Sequence, residues 1–248
     1  MENINNHKLK RDIPSGVKRE VRQRCGFGCV VCGNAFIEYE HMDPEFKDAV
    51  KHDAMCITLL CPTCHGLVSS KFWSKQKIIE CDKYPFCKNS NTARSVLSSF
   101  SESPTVVFAG IEIRNCKSLI NVNDVSILSI KEPEEGSNVY RLSGIFHNSA
   151  GNKSLVIVDN EWMINNDNWD VDVSGGCITI REGLRRISLK ICIEENNRLV
   201  VENIDMSRDG VVLKGGRDEL ELSINGVKNN IFGGRIENCM CGISLRSV

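Results

Sequence analysis

The chain of 248 residues is long enough for one large domain or two small ones, and its 41% of apolar residues suffice for a packed core, which excludes a globally disordered protein. Its formal net charge of −1 argues against a protein that coats nucleic acid non-specifically. The charge is uneven, however. Residues 1–100 hold 15 Lys and Arg against 11 Asp and Glu, a balance of +4, and residues 101–248 hold 16 against 21, a balance of −5. This contrast predicts two units with different partners.

The first 16 residues are polar and are predicted to form a flexible N-terminus. A short helix is predicted from Ser15, where SGVKREVRQRC carries basic residues around its surface. These basic residues favour either a solvated face or a helix that contacts the phosphates of a nucleic acid. The candidate phosphate contacts on this helix are Lys18, Arg19 and Arg22.

Thirteen cysteines occur in the chain, and eight of them precede residue 90. The opening MENINNHKLKRDIP lacks the apolar core of a secretory signal, and no apolar run approaches the ~20 residues that a membrane helix needs. We therefore expect a cytoplasmic protein with no membrane partner. In that compartment thiols stay reduced, so clustered cysteines are expected to bind metal rather than to form disulfides.

Two Cys-x-x-Cys pairs give the strongest signal in the sequence. Thiolates two residues apart can bind one Zn²⁺ from a tight turn, and two such turns complete a tetrahedron. Gly33 follows the first pair and Pro62 lies inside the second, and both residues suit tight turns. The alternative is a chance grouping of buried thiols. We predict a structural zinc site at Cys29, Cys32, Cys61 and Cys64.

The segments around these pairs predict a strand, a loop, a second strand and a helix. The strands are expected at residues 35–41 and 56–61, with a turn at Asp43-Pro44 between them. A helix is expected over residues 62–80, because proline is tolerated in a first helical turn. Lys71 on this helix is a further candidate for a phosphate contact.

The pair Glu40-His41 ends the first of these strands, and His65 directly follows the second cysteine pair. The pattern C-x-x-C … E-H … I-T-L-L-C-x-x-C-H resembles the HNH endonuclease family in its zinc-stapled ββα-metal form. The resemblance covers about residues 17–77, under a third of the chain. It implies an HNH nuclease domain over residues 17–83 that hydrolyses phosphodiester bonds in DNA, with RNA as an open alternative.

The resemblance also implies a role for each residue of the motif. Glu40 and His65 would hold one catalytic Mg²⁺ or Mn²⁺, and His41 would take a proton from the attacking water. The four-cysteine zinc would hold strand and helix in register. In the family an asparagine lies nine residues before the last histidine, and that position is Cys56 here (65 − 9 = 56). Cysteine is a weak hydrogen-bond partner, so the substitution predicts reduced activity.

The rest of the chain differs in composition and in its pattern of apolar residues. Residues 84–104 are rich in Ser and Asn and are predicted to be a linker. Residues 105–248 contain short β-rich runs about ten residues apart, separated by turn signals, which predicts an all-β domain and an α+β class for the whole chain. A sandwich is favoured. A β-helix is the alternative, because GIEIRNCKSLINV and GRIENCMCGISL share an Asn-Cys pair.

Three functions fit these observations. The first is a metal-dependent DNA endonuclease, used in restriction or anti-phage defence and gated by the C-terminal domain. The second is a zinc-containing regulator that binds nucleic acid without cutting it, and the third is an interaction protein in which zinc only supports the fold. The C-terminal domain is expected to bind a protein or a small ligand, or to form a homo-oligomer.

Overall fold

The computed structural model describes residues 4–247. Its first part contains four α-helices and three short strands, in the order α1 Ser15–Cys25, β1 Glu38–His41, β2 Ile57–Leu60, α2 Pro62–Ser69, α3 Lys75–Lys83, α4 Phe86–Ser90 and β3 Thr92–Val96. Two short 3-10 helices, Phe46–Asp48 and Ala54–Cys56, lie between β1 and β2. The second part consists of strands, namely β4 Thr105–Phe108, β5 Ile111–Arg114, β6 Ser118–Val122, β7 Val125–Lys131, β8 Arg141–His147, β9 Lys153–Val158, β10 Glu161–Asn165, β11 Asp170–Ser174, β12 Cys177–Gly183, β13 Arg186–Glu194, β14 Arg198–Arg208, β15 Val211–Gly216, β16 Glu219–Ile224, β17 Val227–Phe232, β18 Gly234–Glu237 and β19 Cys241–Leu245.

The chain divides into two compact units. The N-terminal unit extends to Ser95 and includes Asp170–Asp172, and the β unit comprises Val96–Trp169 and Val173 onward. The structure is mostly β overall, with its helices in the N-terminal unit. No helix in the described part of the chain is long and apolar enough to cross a membrane.

A short antiparallel hairpin organises the N-terminal unit. β1 pairs with β2 so that Glu40 lies opposite Thr58 and His41 opposite Ile57. All four residues of β2 are buried, and α1 contributes Val21 and Cys25 to the same core. Burial of β-branched and leucine side chains on both faces explains why ITLL forms a strand without polar alternation.

The helix predicted over residues 62–80 is divided into α2 and α3. Pro62 occupies the start of α2, as expected. Lys71 has a φ of 63°, which a right-handed helix does not allow. Ser74 then caps α3 by accepting a hydrogen bond from the backbone N–H of Lys77. The prediction missed this break because the apolar periodicity continues through the connection.

Two segments predicted to be irregular form defined structure. The linker interval 84–104 contains α4 and β3, and the Arg94 carbonyl accepts from the Ala35 N–H. In the N-terminal segment, the Asn5 side-chain amide donates to the Phe46 and Ala49 carbonyls. Residues 1–3 of the predicted flexible terminus lie outside the described residues.

The β unit is built from two antiparallel meanders. One sheet has the order β19-β6-β7-β8-β9-β10, and the other runs from β12 to β17 in chain order. β4 lies parallel to β14, and β5 pairs with β4. The all-β prediction is therefore confirmed for the described residues of this unit. A β-helix along its whole length is excluded because most neighbouring strands are antiparallel.

The two Asn-Cys segments nevertheless stack in parallel. β18 pairs with β5, where Gly234 lies beside Ile111 and Glu237 beside Arg114. β19 then pairs with β6, where Cys241 lies beside Ser118. The similarity between these segments in the sequence thus corresponds to a local β-helix-like stack at the ends of the β unit.

One disulfide joins neighbouring strands of the β unit. Cys177 and Cys192 lie opposite each other in the β12–β13 register and form this bond. Its presence departs from the expectation that all thiols are reduced. The cytoplasmic location remains a prediction.

Candidate metal centre and adjoining cleft

Four cysteine sulfurs converge in the N-terminal unit. The Sγ atoms of Cys29, Cys32, Cys61 and Cys64 all lie within 4.8 Å of one another. The Cys32 sulfur is 3.6 Å from that of Cys61 and 3.8 Å from that of Cys64. Sulfurs bound to zinc at about 2.3 Å in a tetrahedron are roughly 3.8 Å apart. The cluster therefore fits a zinc ion, and the predicted grouping of these four residues is confirmed.

Local backbone bonds hold both cysteine pairs in place. Gly33 has a φ of 77° and its N–H donates to the Cys29 carbonyl. A Cβ at Gly33 would lie 2.6 Å from the Phe86 ring, so glycine is required on two grounds. The Val30 N–H donates to the Leu59 carbonyl, which ties this turn to β2. At the second pair, the Cys61 sulfur accepts from the Cys64 N–H.

The charge state of the cluster suits a divalent cation. The pKa of the Cys29 thiol is lowered to about 5, chiefly by a hydrogen bond from the Cys32 thiol. Burial, and next the negative charge of Cys29, raises the pKa of Cys64 to about 12. One thiolate thus opposes ionisation of its neighbours. A bound cation would remove this opposition, because thiols that coordinate a metal are deprotonated.

His65 lies between two carboxylates of β1. Its Nε2 is 3.0 Å from Glu40 Oε2, and its Nδ1 is 2.6 Å from Glu38 Oε2. Alternate residues of a strand share one face, which places Glu38 and Glu40 together. His65 reaches them from the first turn of α2, directly behind the cysteine pair. The structure therefore brings the predicted pair Glu40 and His65 into contact.

A lysine also contacts Glu40. The Lys75 Nζ lies 2.9 Å from Glu40 Oε1 and 3.4 Å from Glu45 Oε1. It also donates to the His41 carbonyl at 3.2 Å. Lys75 reaches these groups from the first residue of α3. The break between α2 and α3 therefore determines the direction from which this cation approaches.

His41 is the buried end of a short imidazole relay. Its Nε2 is 3.2 Å from His52 Nδ1, and His52 Nε2 is 2.9 Å from the Lys10 carbonyl. A carbonyl only accepts, so His52 Nε2 carries a proton and neutral His52 accepts at Nδ1. His41 must then donate from Nε2, which leaves its Nδ1 as the basic atom. Burial is the largest cause that lowers the pKa of His41, and it favours the neutral ring.

A cleft of about 520 Å³ opens beside these side chains. Glu40 and His41 lie in its wall, and Phe46 packs against His41 with ring centroids 5.4 Å apart. The guanidinium carbon of Arg11 lies over the Phe46 ring, 5.3 Å from its centroid. The cations that line the cleft are Arg11, Lys18, Lys47 and Lys75.

Cys56 is the last residue of a short 3-10 helix, Ala54–Cys56, in the connection that precedes β2. Its side chain is half-buried, and burial raises the pKa of its thiol. Its backbone carbonyl accepts a hydrogen bond of 2.8 Å from the Met42 N–H, next to His41. A backbone bond thus joins this loop to the end of β1 whatever side chain residue 56 carries.

The predicted phosphate contacts have different surroundings. Lys18 pairs with Asp12 and lines the cleft, and Arg19 is half-buried on α1. Lys71 is exposed in the connection between α2 and α3. Arg22 is buried, and its guanidinium contacts Asp170 and Asp172, which group with the same unit. The prediction of a phosphate contact at Arg22 is wrong, because carboxylates occupy its donors.

Several residues of this region have little signal in the sequence. Glu38 had a usable signal, since it lies two residues before Glu40 in a predicted strand. Arg11 and Lys10 had none, because they belong to a segment predicted to be flexible. His52 lies in a loop between the strands, and only the tertiary fold brings it to His41.

Comparisons with known proteins do not identify a relative: no family model, no curated protein and no solved structure matches the chain.

Proposed function

We propose that the N-terminal unit is a metal-dependent endonuclease of the HNH type that hydrolyses phosphodiester bonds in DNA. The observation that carries this proposal is the contact of Glu40 with His65 next to His41, whose Nδ1 is basic. Glu40 and His41 line a cleft whose wall holds four cations and four carboxylates. Carboxylate, imidazole and a proton acceptor are the groups that metal-assisted hydrolysis requires. The β1–β2–α2 order and the adjoining cysteine cluster agree with the same proposal.

The separation of Glu40 and His65 fits shared coordination of one ion. Adjacent ligands of an octahedral ion at about 2.1 Å are roughly 3.0 Å apart, and the two ligand atoms here are 3.0 Å apart. A bound Mg²⁺ or Mn²⁺ would supply Lewis acidity toward the phosphate and the leaving oxygen. Glu38 contacts the other nitrogen of His65 and orients its ring.

His41 and the lysines have separate tasks in this proposal. The Nδ1 of His41 accepts a proton from water, and burial keeps the ring neutral and ready to accept it. Lys75 and Lys47 hold the phosphate backbone at the cleft. The zinc at the four cysteines supports β2 and α2, and it takes no part in the proton transfer.

Plasmid cleavage tests the proposal directly. The full chain is incubated with supercoiled DNA and Mg²⁺ or Mn²⁺, and relaxed and linear products are measured. We expect cleavage by the wild-type chain and a loss of about 100-fold or more in His41→Ala, the usual contribution of a general base. His7→Ala, at an exposed histidine outside the cleft, is the matched control and should cleave normally.

A non-catalytic regulator is the second candidate, because Cys56 replaces the family's asparagine and Lys75 already neutralises Glu40. DNA binding measured in the same buffers separates the two candidates. Binding with no cleavage under either ion, or equal cleavage by wild type and His41→Ala, would reject the nuclease and leave the regulator. We further propose that the acidic β unit senses or targets a partner and that the context is anti-phage defence. The sensing role is supported by the two-unit layout and its uneven charge, and the defence context rests only on the resemblance to the HNH family.

A further inference from the structure

The parallel stack in the β unit has one constant register. The offset between paired residues is 123 in β18–β5 (237 − 114) and also in β19–β6 (241 − 118). The two corners between these strands therefore stack residue on residue. Asn238 lies on Asn115, with their side chains 3.3 Å apart, and Cys239 lies on Cys116.

The two stacked thiols are unusually close. Their Sγ atoms are 2.7 Å apart, whereas the sulfurs that converge in the four-cysteine cluster are 3.6 Å and 3.8 Å apart. Each thiol also has a backbone carbonyl within 3.2 Å, that of Arg114 for Cys116 and that of Cys241 for Cys239. The Cys241 sulfur is directed elsewhere, toward the Ile243 carbonyl. Two sulfurs thus converge, which suits a covalent bond better than a metal site.

A small oxidant can reach this pair. A cleft of about 460 Å³ has both cysteines in its wall, together with Lys117, Glu132 and Tyr140. Cys239 is half-buried, whereas Cys116 is only 3% exposed. The half-buried sulfur is therefore the accessible one, and the buried sulfur lies within reach of it.

We propose that Cys116 and Cys239 are a site of oxidative modification, at which a peroxide converts the two thiols into an intramolecular disulfide. The bond would join the first strands of the β unit to its last strands. This site is independent of the nuclease proposal, because both residues belong to the β unit.

The reaction balances with hydrogen peroxide as the oxidant. The Cys239 sulfur attacks the O–O bond, becomes a sulfenic acid and releases one water. The Cys116 sulfur then attacks the Cys239 sulfur, the S–O bond breaks and a second water leaves with the two remaining protons. Two thiols lose two electrons, and one peroxide is reduced to two waters. The hydrogen bond with Cys116, and next burial, raises the pKa of Cys239 to about 11, so the reaction should accelerate toward alkaline pH.

Peptide mapping of the full chain is the test. The reduced chain is treated with hydrogen peroxide, free thiols are blocked, and the digest is searched by mass spectrometry for a peptide pair linked through Cys116 and Cys239. We expect this pair in the wild type and in Cys241→Ser, and its absence in Cys116→Ser and Cys239→Ser. Cys241→Ser is the matched control, since its thiol is the nearest one that points away.

Thermal unfolding supplies a second readout, taken as the difference between the wild type and Cys116→Ser, because reduction and oxidation also act on the Cys177–Cys192 disulfide in both chains. A bond that closes a loop of 123 residues restricts the unfolded chain, so oxidation should raise the Tm of the β unit by about 10 °C. A reductant should reverse both the linked mass and the shift in Tm. A folded, oxidised chain in which Cys116 and Cys239 remain thiols, or in which Cys239 is linked to Cys241, would overturn the proposal.

Discussion

The tautomer of His41 depends on His52, which contacts the Nε2 of His41 and not its Nδ1. His52 accepts a hydrogen bond from His41 and donates one to the Lys10 carbonyl, so the relay leaves Nδ1 of His41 unprotonated. His52 is thus a positioning residue. No pattern in the sequence marks it, because its partners in the relay, His41 and Lys10, are distant from it in the chain. The relay also explains why residues of the N-terminal segment matter to the site.

We expect His52→Ala to lower the cleavage rate by about 10-fold to 100-fold, since removal of an orienting hydrogen bond costs about 1–3 kcal/mol. Nitrogen NMR of the imidazole rings should show His41 as the Nε2–H tautomer in the wild type and as a mixture in His52→Ala. A variant that loses activity while His41 keeps a single tautomer would contradict the relay. His7→Ala should change neither measurement.

The weak hydrogen bonding of the Cys56 thiol is partly offset by a backbone hydrogen bond of the same residue. Its carbonyl already holds the Met42 N–H next to His41, and this bond does not depend on the side chain. We expect Cys56→Asn to increase plasmid cleavage by up to about 10-fold, because an amide can add a strong hydrogen bond to the same loop. Cys56→Ala should leave the rate nearly unchanged. An unchanged or lower rate in Cys56→Asn would show that the thiol does not limit activity.

At the scale of elements, the cysteine pairs connect a helix and a strand, α2 and β2, that are each too short to form a hydrophobic core alone. α2 has eight residues and β2 has four. Cys64 of the cysteine cluster lies in α2, and Cys61 lies between the two elements. Short helices and strands of this length are marginal without tertiary support. Zinc bound at the cluster would add to the shared hydrophobic core in holding His65 opposite Glu40.

We expect one zinc per chain and a fall in the stability of the N-terminal unit when zinc is removed, since binding energy at such a site is folding energy. Elemental analysis measures the zinc, and circular dichroism follows the helix content during chelation. Cys61→Ser should lose zinc and helix signal, whereas Cys81→Ser, a thiol outside the cluster, should keep both. Full zinc content in Cys61→Ser would place the metal elsewhere.

The same elements show what the sequence could and could not predict. The cysteine spacing predicted the cluster, because metal ligation leaves a local pattern. The division between α2 and α3 was not predicted, because it depends on the positive φ of Lys71 and on Ser74 as a cap. The burial of Arg22 was not predictable either, since its partner Asp170 is 148 residues away in the chain. The Asn-Cys stack was visible in the sequence as a similarity, but its parallel register was not.

At the scale of the whole molecule, charge separates the two units. The N-terminal unit contains the cleft and is basic, with a balance of +2 (the +4 of residues 1–100 less Asp170 and Asp172), and the β unit is acidic, with a balance of −3. Most cations of the cleft are already paired with carboxylates, as Lys47 is with Glu45 and Lys18 with Asp12. Pairs at an exposed surface are weak, so a phosphate can compete for these cations.

The salt dependence of DNA binding should therefore come from phosphate contacts in the cleft and not from contacts on the β unit. Binding to a duplex is measured by fluorescence anisotropy at several salt concentrations, with Ca²⁺ in place of the catalytic ion. We expect the slope of log K against log salt to become less negative by about 1 in Lys47→Gln. Lys228→Gln is a matched control on β17: its side chain is 66% exposed and paired with Glu221, against 67% and Glu45 for Lys47. Equal slopes for wild type and Lys47→Gln would mean that DNA does not enter the cleft, and a changed slope in Lys228→Gln would place the contact on the β unit.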